Sequence, residues 1–353
     1  MDFEFTEDQQ LLATSVRHYL AARAPMGYVR SVYDADAAVD DVWRGLADIG
    51  ITGMLVEERF GGAGMGLVDL ALPLGELGRG LYPGPIPASA VAAVVALQTA
   101  GDEESCERWL PGLADGSIVG AVALTDARGT ATTVDHRGAV TGHKVFVLDA
   151  CAADMIVVAA GSALVAVDAT DPNVCVTPTD TVDGSRKFAA VECDGATGAI
   201  VSDDGSARAA TDDTFGIAMV LDGIGAADRA LELAIEYAKE REQFGKPIGS
   251  FQAIQHLCAD MLRAIELGRA VGYYAAWACD AADAVERHRA ATMARAFAAD
   301  DFYRVAANAI QIFGGIGFTW EHDIHLYYKR LLTLSLFGGS ASDHLEELAA
   351  IVL

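Results

Sequence analysis

The chain of 353 residues carries a formal net charge of −25, and 52% of its residues are hydrophobic while 21% are charged. This balance is typical of a folded globular protein that is long enough for two or three domains. The strong negative charge argues against nucleic acid or an anionic membrane surface as a partner.

The cysteines and the first residues of the chain indicate the cellular compartment and whether a metal site is expected. The six cysteines are widely spaced, without a CxxC pair or a Cys/His cluster, so free thiols are predicted and neither disulfides nor a metal site. The sequence begins Met1-Asp2-Phe3, which is acidic and unlike a targeting peptide. The most apolar run, residues 88–97, is too short to cross a bilayer. A cytoplasmic protein is expected.

The first part of the chain has helical patterns. Thr6 is suited to cap a helix over residues 7–22, whose apolar side chains follow one stripe. A second helix is predicted over 40–49. A third, over 67–80, is less regular because Pro73 lies inside it. We therefore expect an N-terminal helical domain over residues 1–116.

From Ser117 the apolar period changes to that of strands. Short runs, most of them rich in valine, alternate with turns that contain glycine, aspartate, serine and asparagine. They predict a compact β domain over residues 117–205, built as a small barrel or sandwich. The runs are 119–125, 144–148, 155–159, 163–167 and 187–191.

The remainder of the chain, residues 206–353, is predicted to be helical again. Short loops between long helical patterns indicate a four-helix bundle with antiparallel neighbours, in which Ser250 caps one of the helices. The predicted fold is therefore an α+β multidomain protein in the order helices, β domain, helical bundle. The predicted helices are 224–240, 251–280, 284–310, 323–334 and 342–352.

Two segments of the third region place unusual chemistry at helix ends. They are Arg-Glu-Gln-Phe-Gly-Lys-Pro-Ile-Gly-Ser-Phe-Gln at 241–252 and Gln-Ile-Phe-Gly-Gly-Ile-Gly-Phe at 311–318. A guanidinium, an aromatic ring, a carboxamide and bare glycine backbone can together hold an anionic, planar cofactor. A structural interpretation competes with this one: the arginine complements a helix dipole, the ring is core, and the glycines form a turn.

These segments, together with Trp43 and the Glu57-Glu58-Arg59-Phe60-Gly61-Gly62 stretch, resemble the acyl-CoA dehydrogenase superfamily over nearly the whole chain. Its members are FAD flavoproteins that oxidise an acyl-CoA thioester between its α and β carbons and pass electrons to an electron-transfer flavoprotein. A carboxylate removes the α proton while the flavin accepts the β hydride. The resemblance implies that this chain contacts FAD held mainly by a neighbouring subunit, through Arg241, Phe244, Gln311, Gly314 and Gly315.

The chain departs from the family at the catalytic base. The usual glutamate falls on Gly338, and the alternative location used by some members falls on Phe215. No catalytic residue is therefore predicted, and a lost general base costs about 10²–10⁴ in rate. Nearby acids are more typical of solvated charges at helix ends or in loops than of a substitute base: Asp212, Asp213, Glu321 and Asp343.

The part of the β domain that corresponds to the family's flavin-lining motifs also differs from the family pattern. The family's Thr-Glu-Pro-Gly stretch corresponds to Leu124-Thr125-Asp126-Ala127, and its Trp-x-Thr to Phe146-Val147-Leu148. Thr125, and Ser340 where the family has threonine, remain candidate cofactor contacts. The contacts that this subunit would lend to a neighbour thus persist, while those for a flavin of its own are reduced.

One branch resembles the chain most: the actinobacterial heterotetrameric dehydrogenases of steroid side chains, in which catalytic and non-catalytic subunits share FAD. The resemblance implies a non-catalytic subunit acting in β-oxidation of fatty or steroid acyl groups, partnered by a second dehydrogenase-type chain or by itself. Three alternatives stay open. They are a self-sufficient homotetramer with an unconventional base, a flavin-dependent monooxygenase of the same fold, and a binding protein without flavin.

Overall fold

The computed structural model describes residues 4–33, 35 and 39–353, so the predicted acidic start at Met1-Asp2-Phe3 lies outside the described residues. The chain forms two compact units. The first contains the N-terminal segment up to Val29, Ala71–Tyr82 and Gly216–Leu353, and the second contains Arg30–Leu70 and Pro83–Phe215. Helices α4 and α7, defined below, each begin in the second unit and end in the first.

The N-terminal third is helical, as predicted. The first helix begins behind a capping box, in which the Thr6 hydroxyl accepts from the Gln9 amide and the Gln9 side chain accepts from the Thr6 amide. Asp40 caps the third helix through the Val42 amide. The helices are α1 (Glu7–Arg23), α2 (Met26–Ser31), α3 (Asp41–Asp48), α4 (Leu67–Arg79), α5 (Val94–Ala100) and α6 (Glu103–Asp115), with a buried π-helical segment Ile86–Ala93 before α5.

The β domain is one connected sheet in the order β1-β4-β5-β7-β3-β2, with β6 also paired to β7. The long β7 pairs with β5, β6 and β3, so it joins the strands of the domain into one sheet. Small valine and alanine side chains fill its core. The strands are β1 (Gly120–Ala123), β2 (Thr133–Val134), β3 (Ala139–Leu148), β4 (Met155–Ala160), β5 (Ala163–Asp168), β6 (Val174–Thr179) and β7 (Phe188–Ser202).

The C-terminal helices follow in sequence, and a small hairpin separates the first two. Helix α7 begins at Ser206 rather than at the predicted Ile224, because residues 210–223 are buried on nearly every side and therefore lack an amphipathic stripe. The elements are α7 (Ser206–Glu240), β8 (Glu242–Gln243), β9 (Lys246–Pro247), α8 (Gln252–Ala281), α9 (Ala284–Phe313), α10 (Ile324–Leu334) and α11 (Ala341–Val352).

The predicted cap of α8 was wrong. Phe251 occupies the cap position, and the Ser250 hydroxyl instead donates to the Pro247 carbonyl oxygen at 2.7 Å. Ser250 is therefore part of the turn that leads from the hairpin into the helix. Within the part of the chain that the structure describes, no helix is long and apolar enough to cross a membrane.

A buried ion pair ties the first unit together. Arg330 on α10 donates from Nη1 to both carboxylate oxygens of Asp222 on α7, at 3.0 Å each, and both residues are almost completely buried. Its Nη2 donates to the carbonyl oxygens of Leu81 and Tyr82, just after α4. One guanidinium thus joins α7 and α10 to the chain that follows α4.

Candidate functional site

The Arg241 segment forms a tight hairpin between α7 and α8. Gln243 pairs with Lys246, and the two residues between them, Phe244 and Gly245, have φ of 55° and 77°. Positive φ at both positions defines the turn that suits a two-residue hairpin. The Ile248 amide closes the base by donating to the Arg241 carbonyl oxygen at 2.7 Å. The hairpin therefore fixes the backbone at Arg241 and Phe244.

Phe244 is 91% exposed, so the interpretation of this ring as core is wrong. Its left-handed backbone costs a residue with a β-carbon roughly 1–2 kcal/mol. Strain of this kind at a bulky residue points to function, since a glycine or asparagine would form the same turn without it. Phe251 lies edge-on to the Phe244 ring with centroids 6.1 Å apart, and Lys246 Nζ lies 4.4 Å from the Phe251 centroid.

The remaining groups of this surface are accessible. Arg241 and Gln311 are exposed, and among the described residues no carboxylate forms an ion pair with the Arg241 guanidinium. Gly314 has a φ of 62°, and neither it nor Gly315 has any atom within 4 Å of where a β-carbon would stand. The backbone at this turn is therefore open to a ligand. We call Arg241, Phe244, Gln311, Gly314 and Gly315 the exposed cofactor surface, after the role predicted for these residues from the sequence.

The two segments of this surface are joined by aromatic stacking. Tyr237, one turn before Arg241 on α7, stacks on Phe313, the last residue of α9, with centroids 4.4 Å apart. His322 also packs against the Phe313 ring, at 4.2 Å between centroids, and accepts a hydrogen bond from the Ile324 amide. The ends of α7 and α9 are thus fixed against each other.

The predicted position of the usual base lies in a left-handed turn after α10. Gly338 and Gly339 have φ of 74° and 142°, and no acidic group stands at either. The next residue, Ser340, caps α11: its hydroxyl donates to Asp343 Oδ2 at 2.7 Å and accepts from the Asp343 amide at 3.3 Å. The hydrogen bond from Ser340 lowers the pKa of the Asp343 carboxyl. Both side chains therefore serve the helix cap.

At the alternative base position, Phe215 is a buried apolar residue on α7. Two residues earlier, Asp213 is only 1% exposed, so the expectation of a solvated charge was wrong there. Asp212 is half-buried inside α7, so it is not at a helix end, whereas Glu321 is exposed in a turn, as expected of a loop charge. The two positions where a base was expected thus hold glycine and phenylalanine.

Sequence reasoning missed Arg295 on α9, which is 7% exposed. Its guanidinium packs directly on Gly216, where a β-carbon would lie 2.5 Å from Cζ and 2.6 Å from Nη2. The same group reaches Gly338, whose β-carbon would lie 3.8 Å from Nη1. A signal was present: Arg295 follows Ala291 by four residues and so continues the buried stripe of an alanine-rich helix.

In the β domain, the Thr125 side chain is exposed and its carbonyl oxygen accepts from the Val145 amide at 3.0 Å. The adjacent Asp126 pairs with Lys144 at 2.7 Å and accepts from the Thr132 hydroxyl at 2.6 Å. Burial lowers the pKa of the Lys144 amine, which is 1% exposed. This pair therefore supports the loop that carries Thr125.

A bulge in β3 between Lys144 and Val147 exposes the ring that stands where the family has tryptophan. Phe146 is 64% exposed with a φ of 55°, whereas Leu148, in place of the family's threonine, is buried. The strand thus keeps an aromatic surface and loses a hydroxyl. Across the described ranges, no three histidine, cysteine or acidic side chains form a group that could hold a metal ion.

Comparison with known proteins identifies the family. The family model for the N-terminal domain of acyl-CoA dehydrogenases matches residues 6–117, and that for the C-terminal domain matches residues 215–353. The acyl-CoA dehydrogenase IpdE2 of Mycolicibacterium smegmatis is 33% identical over 349 residues, which covers 98% of this chain and 99% of IpdE2. This chain is a member of the acyl-CoA dehydrogenase family. The family predicted from residues 241–252 and 311–318 is confirmed.

Solved structures of heteromeric dehydrogenases have the same fold as this acyl-CoA dehydrogenase. A variant of the steroid acyl-CoA dehydrogenase Tcur3481–Tcur3483 superposes with a TM-score of 0.91 at 30% identity over 98% of each chain. The ChsE4–ChsE5 complex of Mycobacterium tuberculosis gives 0.92 at 28% identity, over 99% of this chain and 98% of that one. The predicted resemblance to the steroid branch is confirmed.

Proposed function

We propose that this acyl-CoA dehydrogenase chain is the non-catalytic subunit of a heteromeric enzyme and completes the FAD site of a catalytic partner. One observation carries the proposal: the exposed cofactor surface is intact, while position 338 is a glycine in a left-handed turn. The similarity to Tcur3481–Tcur3483 and ChsE4–ChsE5 supports a partner that is itself of this family.

The residues of the surface fit FAD, the cofactor of this family. A planar guanidinium without an ion-pair partner among the described residues suits a pyrophosphate. Backbone at Gly314 and Gly315 is open to close approach, and the strained Phe244 ring offers an apolar face. Bound FAD would supply a hydride acceptor.

The chain's own residues would bind and orient, and would not transfer a proton. Arg241 would neutralise phosphate charge, and Gln311 would donate or accept through its carboxamide. Removal of a proton from the α carbon of the acyl-CoA thioester would belong to the partner, because Gly338 and Phe215 carry no group that can accept one. The chain would thereby raise the partner's activity by holding its cofactor.

The catalytic partner would determine the substrate and the electron acceptor of the complex. We propose an acyl-CoA with a fatty or steroid-derived acyl group as the substrate of the complex, an electron-transfer flavoprotein as its acceptor, and the cytoplasm as its location. The relatedness to a steroid acyl-CoA dehydrogenase supports the steroid-derived class. In the β domain, Thr125 would contribute a hydroxyl and Phe146 an aromatic face.

Co-expression with a family member encoded nearby, followed by purification and absorption spectroscopy, tests the proposal. We expect a yellow complex with about one flavin for every two chains, because only the catalytic partner in each pair would hold a flavin. The complex should oxidise acyl-CoA substrates in a dye-reduction assay. Replacement of the partner's catalytic glutamate by glutamine should abolish this activity.

The isolated chain is the control. It should be nearly free of flavin and inactive with every acyl-CoA tested. A purified homomer with one flavin in each chain and acyl-CoA-dependent dye reduction would show that the accessory role is wrong.

A further inference from the structure

The vacated base position is approached from an unexpected side. Arg295 projects from the buried stripe of α9, and its guanidinium lies between Gly216 on α7 and Gly338 in the turn after α10. Contact with Gly216 is so close that any side chain there would collide with Nε, Cζ and Nη2. Only a glycine at 216 therefore permits this placement of the guanidinium.

The other end of the guanidinium faces position 338. Nη1 lies 3.8 Å from a β-carbon built on Gly338, and apart from the adjacent residues no other atom lies within 4 Å of that β-carbon. The space around position 338 can therefore accept a short side chain. A carboxylate carried on that β-carbon can reach hydrogen-bonding distance of an arginine that stays protonated at any ordinary pH.

We propose that Arg295 makes position 338 a carboxylate-binding subsite, in which an acidic group is held as an ion pair and is therefore a weaker base than an unpaired carboxylate. A forked guanidinium binds a carboxylate strongly in such a setting, since both charges are partly removed from water. The inference concerns the geometry of one chain, so its test does not depend on the accessory role or on flavin.

The first test concerns the placement of Arg295. Gly216→Ala should destabilise the chain, although alanine normally favours a helix over glycine. In the Arg295→Ala background the same substitution should cost little, because the colliding atoms are gone. Chemical denaturation of the four proteins measures this coupling, with Gly75→Ala on α4, where the nearest atom would be 3.9 Å away, as a matched control. Equal destabilisation by Gly216→Ala in both backgrounds would overturn the proposal.

The second test concerns charge. Gly338→Asp and Gly338→Asn both introduce a residue that tolerates left-handed backbone at this turn, and they differ only in the carboxylate. A carbon-detected NMR titration of the carboxyl introduced by Gly338→Asp should give a pKa about one unit or more below that of the same carboxyl when Arg295→Gln is added. The other ionisable groups at the turn, Asp343 and His344 on α11, are present in both proteins.

Stability gives an independent measure. Above the ordinary aspartate pKa, Gly338→Asp should have an unfolding equilibrium constant about tenfold smaller than Gly338→Asn, because a pKa shift of one unit corresponds to that factor. The advantage should vanish as the pH falls through the folded-state pKa, and it should be absent with Arg295→Gln.

Two results would overturn the proposal. One is an unchanged or raised pKa of the introduced carboxyl, and the other is a folded Gly338→Asn variant beside an unfolded Gly338→Asp variant. Failure of both variants to fold would overturn it as well, because the proposal requires room for a short side chain at position 338.

Discussion

The ring of Tyr237 stacks on the ring of Phe313 at 4.4 Å between centroids and 24° between planes. Tyr237 stands one turn before Arg241, and Phe313 directly precedes Gly314. This contact therefore joins two segments that are distant in sequence and contribute to one surface. A positioning role for Tyr237 follows, since its ring supports the surface without belonging to it.

Tyr237→Leu should loosen this junction. An aromatic pair contributes about 0.5–1.5 kcal/mol beyond its buried area, so the free energy of unfolding should fall by about that amount. Flavin affinity of the complex should decline with it, while Tyr237→Phe should behave as the unmodified chain. Urea denaturation and flavin titration measure the two effects. Equal flavin retention by all three proteins would exclude the positioning role.

Arg241→Ala should weaken flavin binding by the complex without unfolding the chain. A charge-assisted hydrogen bond is worth about 1.5–3 kcal/mol, which corresponds to roughly 10–150-fold in the dissociation constant. Arg241→Lys should restore only part of it, because lysine cannot form the planar fork. Arg304→Ala is the matched control, as Arg304 is exposed and pairs with Asp300 on its own helix. Similar flavin retention after both alanine substitutions would contradict the assigned role.

Phe244→Asn should stabilise the isolated chain and impair the complex. Asparagine followed by glycine is the preferred sequence for this turn, so about 1 kcal/mol of strain should be relieved. The exposed ring would be lost, and flavin retention or assembly should decrease. Thermal unfolding of the isolated chain and size-exclusion chromatography of the complex report on the two properties. A variant that gains stability, assembles normally and retains its flavin would remove Phe244 from the cofactor surface.

Asp222→Ala should destabilise the chain by about 3–5 kcal/mol, because it leaves the buried guanidinium of Arg330 without its carboxylate. Combining it with Arg330→Met should recover much of the loss, since no isolated charge then remains. The exposed pair of Arg304 and Asp300 provides the contrast, with an expected effect of at most about 1 kcal/mol. Denaturant unfolding measures the free energy of unfolding for Asp222→Ala, for the double variant and for a variant that breaks the exposed pair. A double variant as unstable as Asp222→Ala would refute this account.

Acid should selectively weaken the loop that carries Thr125. Burial raises the pKa of Asp126, but hydrogen bonds from Lys144 and Thr132 outweigh it and leave the pKa below the ordinary 3.8. The ionised carboxylate therefore stabilises the fold in full above that pH, and this contribution is lost as the pH falls through the folded-state pKa. Asp126→Asn should lower stability at neutral pH and flatten the acid limb of a plot of stability against pH. An unchanged acid limb would argue against the pair.

Periodicity predicted the fold well where elements are amphipathic or short and apolar. The Thr6 cap and the helix behind it are correct to one residue, and β4 and β5 lie within one residue of prediction. Strand β6 was missed because its exposed side chains alternate with only half-buried ones and Pro178 interrupts the run. The start of α7 was missed for the opposite reason, since burial on all sides removes the helical period.

The candidate site was predictable where chemistry is local in sequence. Arg241, Phe244 and the glycine turn were predicted from their order along the chain; their role stays a prediction, and the structure shows that Arg241 and Phe244 are exposed and that the turn is open. Arg295 could not be placed from the sequence, because its relation to Gly216 and Gly338 depends on how α7 and α9 pack and on the turn after α10. Ser340 stays a predicted cofactor contact, and the structure adds that its hydroxyl takes part in a capping box with Asp343.

The aromatic rings that this chain exposes affect how the chain must be expressed in the cell. Phe244, Phe318 and Trp320 are 91%, 74% and 58% exposed on one compact unit, and apolar side chains of this size invite self-association unless covered. A net charge of −25 opposes such clumping by repulsion between copies. Co-expression with the partner subunit would cover these rings as the chain folds and would thereby also prevent self-association.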